Sequence, residues 1–172
     1  MKPIRLAFMA LAMMGLGGCT DTHAPKGEPS FYRNLTQPGA ELDATAAASM
    51  ISGYRANNGL PTVTLDPELM QLAQTQAEVM AKRDKLDHGA GKPFVQRLKA
   101  SGYDAKTAAE NISAGYHTLA EAFSGWRDSS PHRANMLLAG ATRMGIAAVY
   151  TPASKYKVYW ALILAEPDDR NG

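Results

Sequence analysis

Two apolar runs near the C-terminus limit the folds open to this chain. Arg143–Tyr150 and Lys157–Leu164 are short and rich in β-branched, aromatic and aliphatic side chains, so each reads as a strand. Thr151–Lys155, with Pro152, joins them as a hairpin loop. Upstream the apolar period is helical. Asp66-Pro67-Glu68 supplies a cap, a first-turn proline and a first-turn acid. Leu69, Leu72, Ala73, Gln76, Ala77 and Met80 then follow at helical spacing, which predicts a core-facing helix to about Lys82. Ala47, Met50, Ile51, Tyr54 and Asn58 share another helical face, which Gly59 stops. Phe94–Ala100 is a short helix before Ser101-Gly102, and Thr118-Leu119-Ala120-Glu121 is a capping box. Ala109–Gly115 is compatible with helix or strand. Helices first and strands last make an α+β chain with a small antiparallel sheet covered by helices.

The N-terminus carries an address. A basic start, Met1–Arg5, precedes the apolar run Leu6–Leu16 and then Gly17-Gly18-Cys19. The run falls short of the roughly 20 residues of a transmembrane helix and reads as an export signal. Leu16–Cys19 resembles the lipobox of bacterial lipoproteins, which implies cleavage after residue 18 and a lipid on Cys19. Cys19 is the only cysteine, so no disulfide supports the fold. Thr20 follows Cys19 where an aspartate would resemble an inner-membrane retention signal. The expected location is therefore the cell envelope, at the outer membrane facing the periplasm if the cell is Gram-negative. Residues 1–18 hold Lys2 and Arg5 and no acid, so their removal leaves sixteen basic residues, equal to the sixteen acids. No basic surface remains to attract nucleic acid. The expected organisation is a signal at 1–18, a flexible tether at 19–41, one domain at 42–167 and a polar tail at 168–172. No heptad or long apolar edge asks for a partner copy, so a monomer is expected.

Three residues stand apart from the core pattern. His88 lies in the glycine loop Asp87–Gly91, Glu110 in a small apolar run, and His132 just after Ser129-Ser130-Pro131. Ser130 is expected to cap a short helix with Pro131 at its first position. The helix dipole would then keep His132 mostly neutral. The spacings match no H-E-x-x-H or C-x-x-C metal pattern. Two imidazoles and a carboxylate suit a zinc first shell with an open water position, or a structural hydrogen-bonded cluster. No G-x-S-x-G elbow accompanies Ser129 and Ser130.

The motifs Tyr54–Pro61, Leu65–Leu69, His88, Ala109–Ile112 and Trp126–Leu137, with Met144–Ala147 and Tyr159-Trp160, resemble the CAP superfamily (SCP domain), most closely its short bacterial branch. The resemblance implies a three-layer α-β-α sandwich with a cleft holding His88, Glu110 and His132, and in several members a divalent metal. Many eukaryotic members have a second acid three residues after the motif tryptophan; here that place is Ser129, and Asp128 beside it would point about 100° away on a helix. Three readings follow. The cleft binds a lipid or cell-wall ligand, with a divalent metal such as zinc on His88 and His132. Or it is a metal-dependent hydrolase with Glu110 as general base. Or the cluster is purely structural.

Overall fold

The strand Val158–Pro167 (β4) organises the molecule. In a computed structural model describing residues 27–168, its first eight residues are buried and both faces are covered. It pairs antiparallel with Ala105–Ala114 (β2) on one side and Arg143–Tyr150 (β3) on the other. The two-residue strand Thr64–Leu65 (β1) adds a short parallel pair to β3, giving the order β1-β3-β4-β2. β2 is therefore an edge, and the site is built on it.

Because side chains alternate along a strand, β4 feeds two cores. Val158, Trp160, Leu162 and Leu164 pack with Ala47 and Ile51 of helix α1 (Ala44–Ala56). The same core takes Leu119, Ala122 and Trp126 of α4 (Leu119–Asp128) and Met136 of α5 (Ser130–Met136). Tyr159, Ala161, Ile163 and Ala165 face α2 (Pro67–Arg83), with Phe94 and Leu98 of α3 (Phe94–Ser101) packed alongside. The result is the α-β-α sandwich. Small residues set the spacing of the second face: a Cβ on Gly145 would overlap the Leu69 carbonyl and the Met70 amide nitrogen of α2.

Locally the chemistry is as expected for α2 and α4. The Asp66 carboxylate accepts from the N–H groups of Glu68 and Leu69 at 3.0 and 3.1 Å. Thr118 and Glu121 form a reciprocal capping box. Trp126, Tyr159 and Trp160 are core, the two tryptophans meeting edge-on at 6.3 Å.

Four details differ from the sequence expectation. α5 begins one residue early: Ser129 is its extended N-cap, with no side-chain capping bond, and Ser130 is its first helical residue. Ser129 also ends α4, so its backbone serves both helices. The ambiguous Ala109–Gly115 is the inner half of β2, which starts at Ala105. On α1 the buried stripe is Ala47, Ile51 and Arg55, while Asn58 is exposed. Lastly, the stretch assigned to the tether joins the domain from Ser30 on. Ser30–Tyr32 forms a 3-10 turn, Leu35 is buried, and its N–H donates to the His117 carbonyl at 2.8 Å. The signal, Cys19 and the last four residues lie outside the described residues. No helix among the described residues is long and apolar enough to cross a membrane.

Candidate functional site

The site forms where pieces from both faces of the sheet meet at the free edge of β2. Glu110 lies opposite Ile163, so its side chain enters the α2–α3 face. Asn111, opposite Leu162, points the other way, toward α5. Two asparagines fasten α5 to this edge. The Asn135 amide donates to the Glu110 carbonyl at 3.1 Å and to Asn111 Oδ1 at 2.9 Å. Asn111 in turn donates to the His132 carbonyl at 2.9 Å. An edge strand leaves main-chain groups unpaired, and here side-chain amides satisfy them while fixing the first turn of α5.

His88 arrives from the opposite face. Its loop is held by Gln76 Nε2 donating to the Asp87 carbonyl at 2.9 Å, and by the Gly89 N–H donating to Asp87 Oδ1 at 2.8 Å. His88 Nδ1 lies 2.9 Å from Glu110 Oε1, with 55% of the histidine side chain exposed against 2% for Glu110. The second oxygen of Glu110 is also engaged. Arg97 Nη2 donates to Oε2 at 2.5 Å. Arg97 is itself buried; its Nε donates to the Lys92 carbonyl at 3.1 Å and its guanidinium lies 5.4 Å from the centre of the Phe94 ring.

His132 is half-buried on α5. Burial pushes its pKa below the ordinary imidazole range, and the neighbouring His88 adds to this. The expected direction holds, with burial rather than the helix dipole as the leading cause. The two histidines are linked through neighbouring residues of β2: His88 meets Glu110, and the His132 carbonyl accepts from Asn111. Ser129 offers no carboxylate. Asp128 points away, pairing with Arg127 at 2.8 Å.

The donor set can be weighed against a metal. Among the described residues no group of three or more His, Cys, Asp or Glu side chains is arranged to hold one. Glu110 does not fit as a ligand, because a guanidinium and an imidazole take its two oxygens. What the geometry shows is narrower: Glu110 stands behind His88 as a carboxylate that orients the ring.

Two arginines escaped the sequence reading. Arg97 stands one turn after Phe94 and just before Leu98 on the buried side of α3, and a charge in that position is the one signal that marked it. Arg55 is fully buried and donates to the carbonyls of Pro61, Met136, Leu138 and Ala141. It ties α1 to the end of α5, the helix that carries His132.

A two-faced sheet with its histidines gathered at one edge defines an SCP-type α-β-α domain. Residues 48–164 match the sequence model of the CAP, cysteine-rich secretory protein family, and the chain belongs to that family. The uncharacterized protein YkwD of Bacillus subtilis is 31% identical over 119 residues, 61% of this chain and 46% of that protein. The chain thus spans about half the length of this relative. An extracellular SCP-domain protein from Bacillus anthracis superposes with a TM-score of 0.62 at 20% identity, over 71% of this chain and 39% of that one. An outer surface protein from Borrelia burgdorferi gives 0.66 at 16% identity, over 73% and 93%.

Proposed function

We propose that this chain is an envelope-anchored CAP-domain lipoprotein whose edge-strand site is a binding module. One observation carries the reading: the carboxylate that meets His88, Glu110, is buried and shared between Arg97 and His88. A general base must reach the proton it removes. Glu110 has no such access, which argues against the hydrolase. His88, by contrast, is exposed and oriented, as a ligand-facing residue should be. The purely structural reading does not account for an imidazole left half in solvent.

On this reading His88 and His132 are the contact groups. A borderline-soft divalent ion such as zinc would be held by those two rings, with solvent or the lipid or cell-wall ligand in the remaining positions. Ser129 lines the approach to His132. Cys19 would carry the lipid that holds the domain at the membrane. The exported character of the Bacillus anthracis and Borrelia burgdorferi relatives supports that location.

Titration calorimetry with zinc on the domain tests the module. Binding should be lost in both His88→Ala and His132→Ala and retained in His117→Ala. Equal binding by wild type and the His88→Ala/His132→Ala double variant would sink the reading. Mass spectrometry of the chain from membranes tests the anchor: an acylated N-terminal Cys19 is expected, and a Cys19→Ala variant should be released.

A further inference from the structure

At the edge of the sheet away from the histidines, β3 is only half covered. β1 pairs with its first two residues, and then Asp66 turns away to cap α2. The Asp66 N–H donates to the Met144 carbonyl at 2.9 Å, so Met144 faces the β1 side. Main-chain groups alternate in direction along such a strand, so Ile146, Ala148 and Tyr150 face the same way. Beyond Met144 no strand lies beside them among the described residues. The Ile146 N–H meets the Met70 sulfur at 3.2 Å, a weak acceptor where a strand would offer a carbonyl. The outward N–H and carbonyl of Ala148 have no partner among the described residues.

A cavity of about 340 Å³ lies over this edge. Leu35 and Leu42 line one wall and Met70 and Gln74 of α2 the other, with β3 as the floor. Its charge has one sign. Glu41 lines it; Arg33 donates to the Glu41 main-chain carbonyl at 3.2 Å, and the carboxylate has no partner among the described residues. On the facing wall the Gln74 amide donates to Glu78 at 2.8 Å, which brings a second carboxylate near. Among the described residues no lysine, arginine or histidine lines the cavity. An acyl chain laid here would cut the free main-chain groups off from water without pairing them. A polypeptide in extended form pairs them.

We propose that the open edge of β3 is a docking groove for an extended peptide that carries a basic side chain. The peptide adds a strand in line with β1, bonding the outward groups of Ile146 and Ala148, and its lysine or arginine meets Glu41. From Ile146 to Tyr150 the edge runs about 13 Å at about 3.3 Å per residue, which suits a peptide of about four residues. The groove and the histidine site lie at opposite edges of the sheet, so each stands or fails without the other.

Amide NMR of the full chain tests the groove with three probes. These are acetyl-Val-Lys-Val-Lys-Val-amide, its analogue with glutamate in place of lysine, and the lysine peptide with its backbone N-methylated. The lysine peptide should shift the Ile146, Ala148 and Tyr150 amides and slow hydrogen exchange at Ala148. The glutamate peptide should bind more weakly, and the N-methylated peptide should not bind. Glu41→Gln should weaken the lysine peptide about 2–5-fold, the usual range for an exposed ion pair. Ala148→Pro removes the outward N–H and leaves the β4 ladder intact, as proline does on an edge strand, and should abolish binding. Any of four results would overturn the proposal. The lysine peptide leaves the three amides unmoved; the N-methylated or glutamate peptide binds wild type as tightly, a comparison that needs no variant to fold; a folded Ala148→Pro binds like wild type; or dilution of the protein alone moves the same amides, which makes a second copy the occupant.

Discussion

Arg55 makes a quantitative prediction. Its guanidinium is fully buried with no carboxylate at ion-pair distance among the described residues, and burial pushes its pKa down. Compensation comes from four carbonyls, those of Pro61, Met136 and Leu138 at 2.9 Å and of Ala141 at 2.7 Å. Leu138 O also accepts from the Ala141 N–H at 3.2 Å, so it keeps a partner if Arg55 is lost. Pro61 is exposed and its carbonyl can turn to water, so the carbonyls of Met136 and Ala141 would be orphaned. Arg55→Met keeps the apolar stem and removes every donor. An orphaned buried acceptor costs about 1–3 kcal/mol, so two cost at least about 2 kcal/mol. Relief of the desolvated charge offsets part of the upper end, as when buried ions are replaced by apolar groups. The expected net loss is about 2–4 kcal/mol, a large share of the roughly 5–15 kcal/mol that holds a typical domain together. At about 3 °C per kcal/mol for a domain of this size, the melting temperature should drop by about 10 °C. Urea unfolding followed by tryptophan fluorescence measures it. Arg55→Lys, one ammonium facing four acceptors, should recover less than half. If Arg55→Met unfolds within about 1 kcal/mol of wild type, those carbonyls find other partners and the clamp contributes nothing.

Three further outcomes follow from the geometry. Gly145→Ala should cost about 1–3 kcal/mol or more, because the new methyl overlaps helix backbone that cannot rotate away; denaturant midpoints decide, and an unchanged midpoint would show that α2 is free to back off β3. Leu35→Ala should cost about 2–4 kcal/mol if residues 30–41 are part of the fold, and a neutral result in the same assay would return them to a tether. His132 gives a pH signature. Its folded pKa lies below the unfolded 6.5, so on acidification the unfolded chain takes up a proton that the folded chain refuses. Stability should therefore fall as pH drops through 6.5, level off below the folded value, and show less of this slope in His132→Gln; identical slopes in the two proteins would remove the inference.

Much of the fold was legible because its signals are local. Asp66-Pro67 and the Thr118–Glu121 box announce α2 and α4 within four residues, and the β3–β4 hairpin is written in two apolar runs. The edge strand was harder. Ala105–Ala109 mixes small and polar residues because one side of β2 has no strand neighbour, so no clean period appears. The histidines and Glu110 showed themselves as residues the core did not need. Arg97 and Arg55 did not, since an arginine on an amphipathic helix normally belongs to the solvated face. Only tertiary contacts turn these two inward: one meets a buried carboxylate, the other a cluster of loop and helix-end carbonyls. Neither is encoded within one turn of its own helix.

The serine at 129 and the pairing of Glu110 with Arg97 belong together. A site with two histidines and two acids carries negative charge to offer a cation. Here Ser129 stands where the second acid would be, and the remaining acid is already neutralised by Arg97 at 2.5 Å. The floor of the site therefore has no net charge. A hard cation such as calcium or magnesium, which is held by oxygen and by charge, finds neither. An incoming group meets imidazole lone pairs, and their donor character decides what stays bound. On the proposed reading, losing the second acid does not simply weaken a family site. It sets recognition by electron-pair donation rather than by charge.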